Sequence, residues 1–177
     1  NAIIRLLLAQ GARDIIGCGR DGALSGDATE GMHPSRKALA EATNPRHVHG
    51  SLKEVLKGAD VFIGVSSGNI LDPADIETMA DDAIVFALAN PTPEVDPIGA
   101  GKYAAVVATG RSDYPNQINN VLAFPGLFRG LLDAKVKEIT TEVLRVAAVA
   151  IASVISEDEL SPSYIIPGAF DKRVAPA

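Results

Sequence analysis

The chain has 177 residues with a single cysteine, no tryptophan and only 5% aromatic residues. One cysteine excludes an internal disulfide and suits a reducing compartment, so a cytoplasmic protein is expected. Cys18 ends the apolar run Ile15-Ile16-Gly17-Cys18, where a buried structural thiol is expected. Lys and Arg number 16 against 22 Asp and Glu, for a net charge of −6, and the basic residues are scattered. That pattern lacks the footprint of a nucleic-acid binder. No apolar run approaches the roughly 20 residues of a membrane-spanning helix. Near the N-terminus, Ala2–Ala9 is already interrupted by Arg5. Neither a nucleic-acid partner nor a membrane is expected.

Chemically active groupings are also scarce. The chain has no Walker loop and no CxxC. Neither a serine-nucleophile elbow nor a dinucleotide fingerprint is assigned. Glu77, Asp81 and Asp82, like Glu157, Asp158 and Glu159, read as solvated acidic faces. His33, His47 and His49 fall in loops, and His47-x-His49 alone is a weak metal signal. No catalytic residue and no metal ligand is assigned to this chain. It begins at Asn1 inside an expected helix, and Val174–Ala177 carries no helix stop. A piece of a longer protein is expected.

What the chain does have is short, continuous apolar runs bounded by breakers. Ala83–Ala89 stops at Asn90-Pro91-Thr92-Pro93. Such a run reads as a strand buried on both faces, and the prolines forbid further helix or ladder beyond it. Similar strands are expected over Asp14–Cys18, Ala59–Val65 and Ala104–Ala108. Helices are expected over Asn1–Gln10, Ser35–Ala42, from the capping box at Ser51 and Glu54, and from the Asp72-Pro73 start to about Met79. Two more are expected over Gly126–Asp133 and Glu138–Ile155. Ser156 to Glu159 is suited to cap a short turn. Strands alternating with helices predict an α/β fold with a parallel sheet.

Four polar features follow strands: Gly19-Arg20-Asp21, Ser66-Ser67-Gly68, Asn90-Pro91, and Thr109-Gly110-Arg111-Ser112. In open α/β sheets the carboxyl edge of the strands is where ligands bind. A fifth feature is Asn116-Gln117-Ile118-Asn119-Asn120. An amide such as Asn90 offers one acceptor and two donors, suited to a carboxylate, a hydroxyl or a nicotinamide amide. Asn119 is either a helix cap or a contact to an anion at a helix end.

The pieces RLLLAQGARDIIGC, GADVFIGVSSGNIL, IVFALANPTPE, YPNQINNVLAFPGLFRG and ISEDELSPSYIIPGAFDKRVAPA occur in this order. Together they resemble the nicotinamide-binding domain of bacterial malic enzymes. ALANPTPE and QINNVLAFPG are the most specific of these motifs. The resemblance implies a Rossmann-like, doubly wound parallel sheet covering residues 1–177. It implies that the first strand and glycine-rich loop of the domain precede Asn1. It further implies oxidative decarboxylation of malate to pyruvate and carbon dioxide, with reduction of NAD or NADP and help from Mg or Mn. The catalytic tyrosine and lysine and the acidic metal ligands would lie further upstream. Members of this family suggest a homo-oligomer.

By resemblance, Asn90 lies against substrate and nicotinamide, while Asn119 and Asn120 contact malate and Asn119 also the cofactor. Ser66 ends a strand that runs past the cofactor, and Arg20 sits by the adenosine ribose. Many members carry an acid where this chain has Gly19. A carboxylate there accepts from the ribose 2′-hydroxyl of NAD. Its loss, with Arg20 adjacent, favours the 2′-phosphate of NADP, and Asp21 opposes it. The alternative is a non-catalytic dinucleotide-binding or regulatory module.

Overall fold

A computed structural model describes residues 1–176. Ala177, the last residue of the expected domain, lies outside the described residues. The chain divides into two compact units, Asn1–Lys57 and Gly58–Ala177.

The first unit opens with α1 (Ala2–Ala9). Its Ile4 packs on a small core of Leu24, Leu39 and Ala40. The expected strand over Asp14–Cys18 does not form. The segment is extended, but only isolated bonds hold it: Ile15 C=O accepts from Asn44 N–H (2.7 Å) and Gly17 C=O from Leu24 N–H (2.7 Å). No neighbouring strand among the described residues offers it a ladder. Instead β1 (Cys18–Gly19) and β2 (Gly22–Ala23) pair antiparallel around the turn Arg20-Asp21. Gly22 takes a positive φ of 100°, as tight hairpin turns demand. Cys18, in this rim hairpin, is exposed rather than buried.

Residues 17–22 in fact spell G-x-G-x-x-G. A dinucleotide fingerprint needs a helix after the turn; here a second strand follows, so the spacing does not make a phosphate loop. α2 (Pro34–Ala42) starts one residue earlier than expected, with His33 as N-cap. α3 (Leu52–Val55) carries the expected capping box: Ser51 N–H donates to Glu54 Oε2 (2.7 Å) and Glu54 N–H to Ser51 Oγ (3.4 Å).

Asn44 anchors this unit. It is fully buried with φ 52°. Its Nδ2 donates to Leu24 C=O (2.9 Å) and Val48 C=O (2.8 Å), and its Oδ1 accepts from Val48 N–H (2.9 Å). One side chain thus replaces the ladder that the surrounding loops lack.

The second unit is built on three parallel strands. β3 (Val61–Gly64), β4 (Ile84–Ala87) and β5 (Val106–Thr109) lie side by side in that order. Phe62 pairs with Val85, and Val85 with Val107. Burial alternates along β3 and β4; Phe62, Val85, Ala87 and Ala108 face the core with Ile76, Val95 and Ala100. Single-turn helices α4 (Pro73–Ile76) and α5 (Pro97–Ala100) lead into β4 and β5. α4 ends short of Met79. Met79 N–H bonds back to Ile76 C=O and Ala80 N–H crosses to Ala59 C=O, so the chain leaves the helix to enter the sheet.

Beyond β5, a 3₁₀ turn η1 (Asn120–Leu122) precedes α6 (Gly126–Asp133) and α7 (Thr141–Ser153). Thr140 caps α7, so that helix starts three residues later than its apolar spacing suggests. Ser156 N–H donates to Glu159 Oε2 (3.1 Å), closing the expected capped turn.

Candidate functional site

Because β3, β4 and β5 are parallel, the segments that follow them emerge at one edge. Ser66 follows β3, Asn90 follows β4 and Gly110 follows β5. A parallel bridge sets Gln117 beside Thr109, and Ile118 N–H donates to Thr109 C=O (2.8 Å). Asn119 therefore leaves the sheet at that same edge.

The loops there are stiffened by a residue that composition did not single out. Glu94 is fully buried. Its Oε1 accepts from Ser66 N–H (2.9 Å) and its Oε2 from Ala89 N–H (2.9 Å). One carboxyl group thus bridges the loops after β3 and β4. Gly64 is required for this: a Cβ there would lie 2.4 Å from Glu94 Cδ. Gly68 is equally constrained, since its Cβ would lie 2.6 Å from Thr92 C=O. Asn69 N–H then donates to Pro93 C=O (2.9 Å) and Leu71 N–H to Glu94 C=O (2.9 Å). The Asn90-Pro91 peptide bond is cis. The result is a rigid frame that leaves the side chains of Ser66 and Asn90 exposed.

Residues 64–68 also match the spacing G-x-S-x-G. Ser66 is nevertheless no hydrolase nucleophile. An elbow serine sits at a strained strand-to-helix turn beside a base. Ser66 does not take a positive φ, no helix follows until Pro73, and its hydroxyl makes no hydrogen bond among the described residues.

Asn119 is a cap: its Oδ1 accepts from Val121 N–H (3.1 Å) at the start of η1. The Asn119 amide NH₂ keeps its two donors, and Asn120 beside it is exposed. Asn116 does a different job. Buried at φ 56°, it donates to Val107 C=O (3.1 Å) and Pro162 C=O (2.8 Å) and accepts from Ile165 N–H (2.9 Å). Arg111 is occupied locally. It forks onto Asp113 (2.8 and 2.6 Å) and lies 5.4 Å from the Tyr114 ring centroid. That guanidinium holds the Asp113 carboxyl below its ordinary pKa.

Arg20 belongs to the first unit, in the β1–β2 turn, where it is exposed and without a hydrogen bond or ion pair among the described residues. Also in that unit, Asp27 binds Ser25 Oγ (2.5 Å) and His49 Nε2 (3.2 Å), with His47 Nδ1 3.7 Å away. The hydrogen bond from Ser25, then that from His49, lower its pKa. Asp27 is a carboxylate partner for both histidines that their spacing in the sequence does not show. No group of three or more His, Cys, Asp or Glu among the described residues can hold a metal ion. Nor is any helix of the described residues long and apolar enough to cross a membrane.

Parallel strands that deliver small polar groups to one carboxyl edge define a Rossmann-like, nucleotide-binding type of α/β domain. The comparisons agree. The family described as "Malic enzyme, NAD binding domain" matches residues 6–173. The NAD-dependent malic enzyme of Geobacillus stearothermophilus is 55% identical over 173 residues, covering 98% of this chain and 36% of that protein. The bifunctional malic/malolactic enzyme of Bacillus subtilis is 52% identical over 177 residues, covering 99% and 43%. The crystal structure of the NAD-dependent malic enzyme from Thermotoga maritima superposes with a TM-score of 0.90 at 43% identity, covering 98% of this chain and 45% of that one. The chain belongs to the malic enzyme NAD-binding domain family. It spans less than half the length of these relatives.

Proposed function

We propose that this chain is the dinucleotide-binding part of a longer malic enzyme, and that the whole protein converts malate to pyruvate and carbon dioxide while reducing NAD or NADP. The observation that carries this is a shared edge: Ser66, Asn90 and Asn119 all follow parallel strands of a domain in that family. A nicotinamide bound there would supply the hydride acceptor for oxidation at malate C2.

The chain's own residues bind and orient. The Glu94 frame fixes the backbone that carries the exposed Asn90, so its amide projects from a defined place before a ligand arrives. Such positioning contributes to catalysis by fixing the approach of the reacting atoms. Asn119, its oxygen already accepting from Val121 N–H, turns its two amide donors to a ligand, which suits a carboxylate of malate or the carbonyl of the nicotinamide amide. Asn120 lies beside it as a second malate contact, and Ser66 contacts the cofactor as it passes β3. The proton-transfer groups and the ligands for Mg or Mn are assigned to the remainder of the protein. Residues 1–177 are accordingly one partial domain. A homo-oligomer is supported by the exposed apolar side chains of Phe124, Phe128 and Leu132 on and beside α6, and a cytoplasmic location by the bacterial malic enzymes it is similar to.

The test is oxidative decarboxylation of malate by the full-length gene product with Mn, with NADP and NAD compared. Reduced cofactor should appear together with pyruvate. A folded, metal-loaded protein that binds dinucleotide but turns over neither cofactor would instead be a binding or regulatory module.

A further inference from the structure

Gly19 ends the short strand β1, and its missing side chain is replaced by a neighbour. A Cβ at Gly19 would lie 2.6 Å from Arg36 Nη2, 3.3 Å from its Cζ and 3.9 Å from its Nε. The three atoms nearest that point all belong to one guanidinium. Arg36 sits in the first turn of α2, and its side chain is 39% exposed. Its ion-pair partner, Asp21, is loosely placed: Nη2 to Oδ2 is 3.4 Å, and Asp21 is 79% exposed. The remaining guanidinium donors have no partner among the described residues. They border a hollow of about 440 Å³ whose lining includes Asp21, Glu30, Met32 and His33.

In a dinucleotide fold, the residue at this strand end decides what the ribose 2′ position can carry. A carboxylate accepts from a 2′-hydroxyl and repels a 2′-phosphate, whereas a nearby arginine accommodates the phosphate. A guanidinium is a planar fork that matches phosphate oxygens in pairs. Here the cation over the empty position is Arg36, while Arg20 points to no partner.

We propose that Arg36, seated over Gly19, is the residue that selects a dinucleotide carrying a 2′-phosphate, so that the protein favours NADP over NAD. This rests on the dinucleotide-binding function proposed above. The relatives do not decide the matter, since the family includes enzymes named for either cofactor. Asp21 is the internal competitor for the guanidinium, which it holds when no phosphate is present, and both Asp21 and Glu30, which line the hollow, repel a phosphate that arrives.

The test is calorimetric titration of the full-length protein with 2′,5′-ADP and with 5′-ADP, without malate, so that binding and not turnover is read. The wild type should bind 2′,5′-ADP about tenfold or more tighter than 5′-ADP, the gain expected of a charge-assisted fork. Arg36→Ala should abolish that ratio and leave 5′-ADP binding in place. Arg36→Lys should restore part of it, because charge returns without the fork. Arg20→Ala should leave it intact, and Asp21→Asn should raise it. A wild type that binds 5′-ADP at least as well, or a ratio that survives Arg36→Ala, overturns the role of Arg36 while dinucleotide binding stands. A ratio lost in Arg20→Ala does the same. A wild type that binds neither compound overturns dinucleotide binding itself.

Discussion

The two units hold their loops by opposite means. In Gly58–Ala177 a ladder of three parallel strands comes first, and the buried Glu94 fastens two loops to it. In Asn1–Lys57 the only ladder is a hairpin of two residue pairs, and the buried Asn44 amide substitutes for it. Each unit therefore has a buried polar side chain that fastens loops together, but Glu94 supplements a sheet and Asn44 stands in the place of one. Buried polar groups are costly to leave unpaired, so each should act as a local point of failure.

Asn44→Ala should break the comparison hardest. It leaves Val48 N–H and two carbonyls unpaired and places alanine at φ 52°, a loss of about 3–5 kcal/mol. Hydrogen exchange on the full-length protein should show amides of residues 1–57 losing protection while β3, β4 and β5 keep theirs. Equal loss in both units would mean that they do not open separately.

Glu94→Ala should produce the reverse pattern at somewhat smaller cost. The buried Ala89 N–H loses its acceptor, worth about 1–3 kcal/mol, and the part-buried bond from Ser66 N–H is lost with it. Gly64→Ala should resemble it, because the new methyl collides with the carboxyl group. Both should weaken the malate turnover proposed for the whole protein more than the melt alone accounts for, since the loops bearing Ser66 and Asn90 are released. Unchanged kinetics in a variant that still folds would detach Glu94 from the site.

The smallest effect sharpens the contrast at a surface cap. Ser51→Ala removes one half of the α3 capping box and should cost about 1 kcal/mol, confined to the first unit. Its pH dependence follows from Glu54, whose pKa is lowered chiefly by the hydrogen bond from Ser51 N–H. A lowered folded pKa stabilises above the unfolded value of about 4.3 and loses that contribution as pH falls through the folded one. Urea melts from about pH 6 to pH 3 should show this acid slope in the wild type and a shallower one in Glu54→Gln.

What could be read from sequence was whatever repeats along the chain or stands next to its partner. The apolar run at Ala83–Ala89, the pair Ser51 and Glu54, and the Asp72-Pro73 helix start all place both members of an interaction within a few residues. Asn90 and Asn119 were visible as polar residues after apolar runs. Glu94 was not, because its partners Ser66 and Ala89 meet it only once two strands lie side by side. Asp14–Cys18 has the composition of a strand, yet a strand is a relation to a neighbour, and none of the described residues supplies one. Two glycine spacings show the same limit. G-x-G-x-x-G at residues 17–22 and G-x-S-x-G at residues 64–68 both look like catalytic or phosphate-binding signatures, and neither acts as one. Gly19 leaves room for Arg36, and Gly64 leaves room for Glu94. The spacing records that space is needed; only the fold shows what fills it.

Asn116 carries a consequence of another kind. Its amide joins Val107 to Pro162 and Ile165, partners up to 49 positions away from it in the chain. Closing so long a loop costs chain entropy, and here two hydrogen bonds of one side chain, to Pro162 and Ile165, hold it shut while a third, to Val107, ties that side chain to β5. The excursion through α6 and α7 thus leaves and returns through a single knot. A chain nicked between Asp133 and Thr140 would still have its strands registered and the Asn116 bonds made.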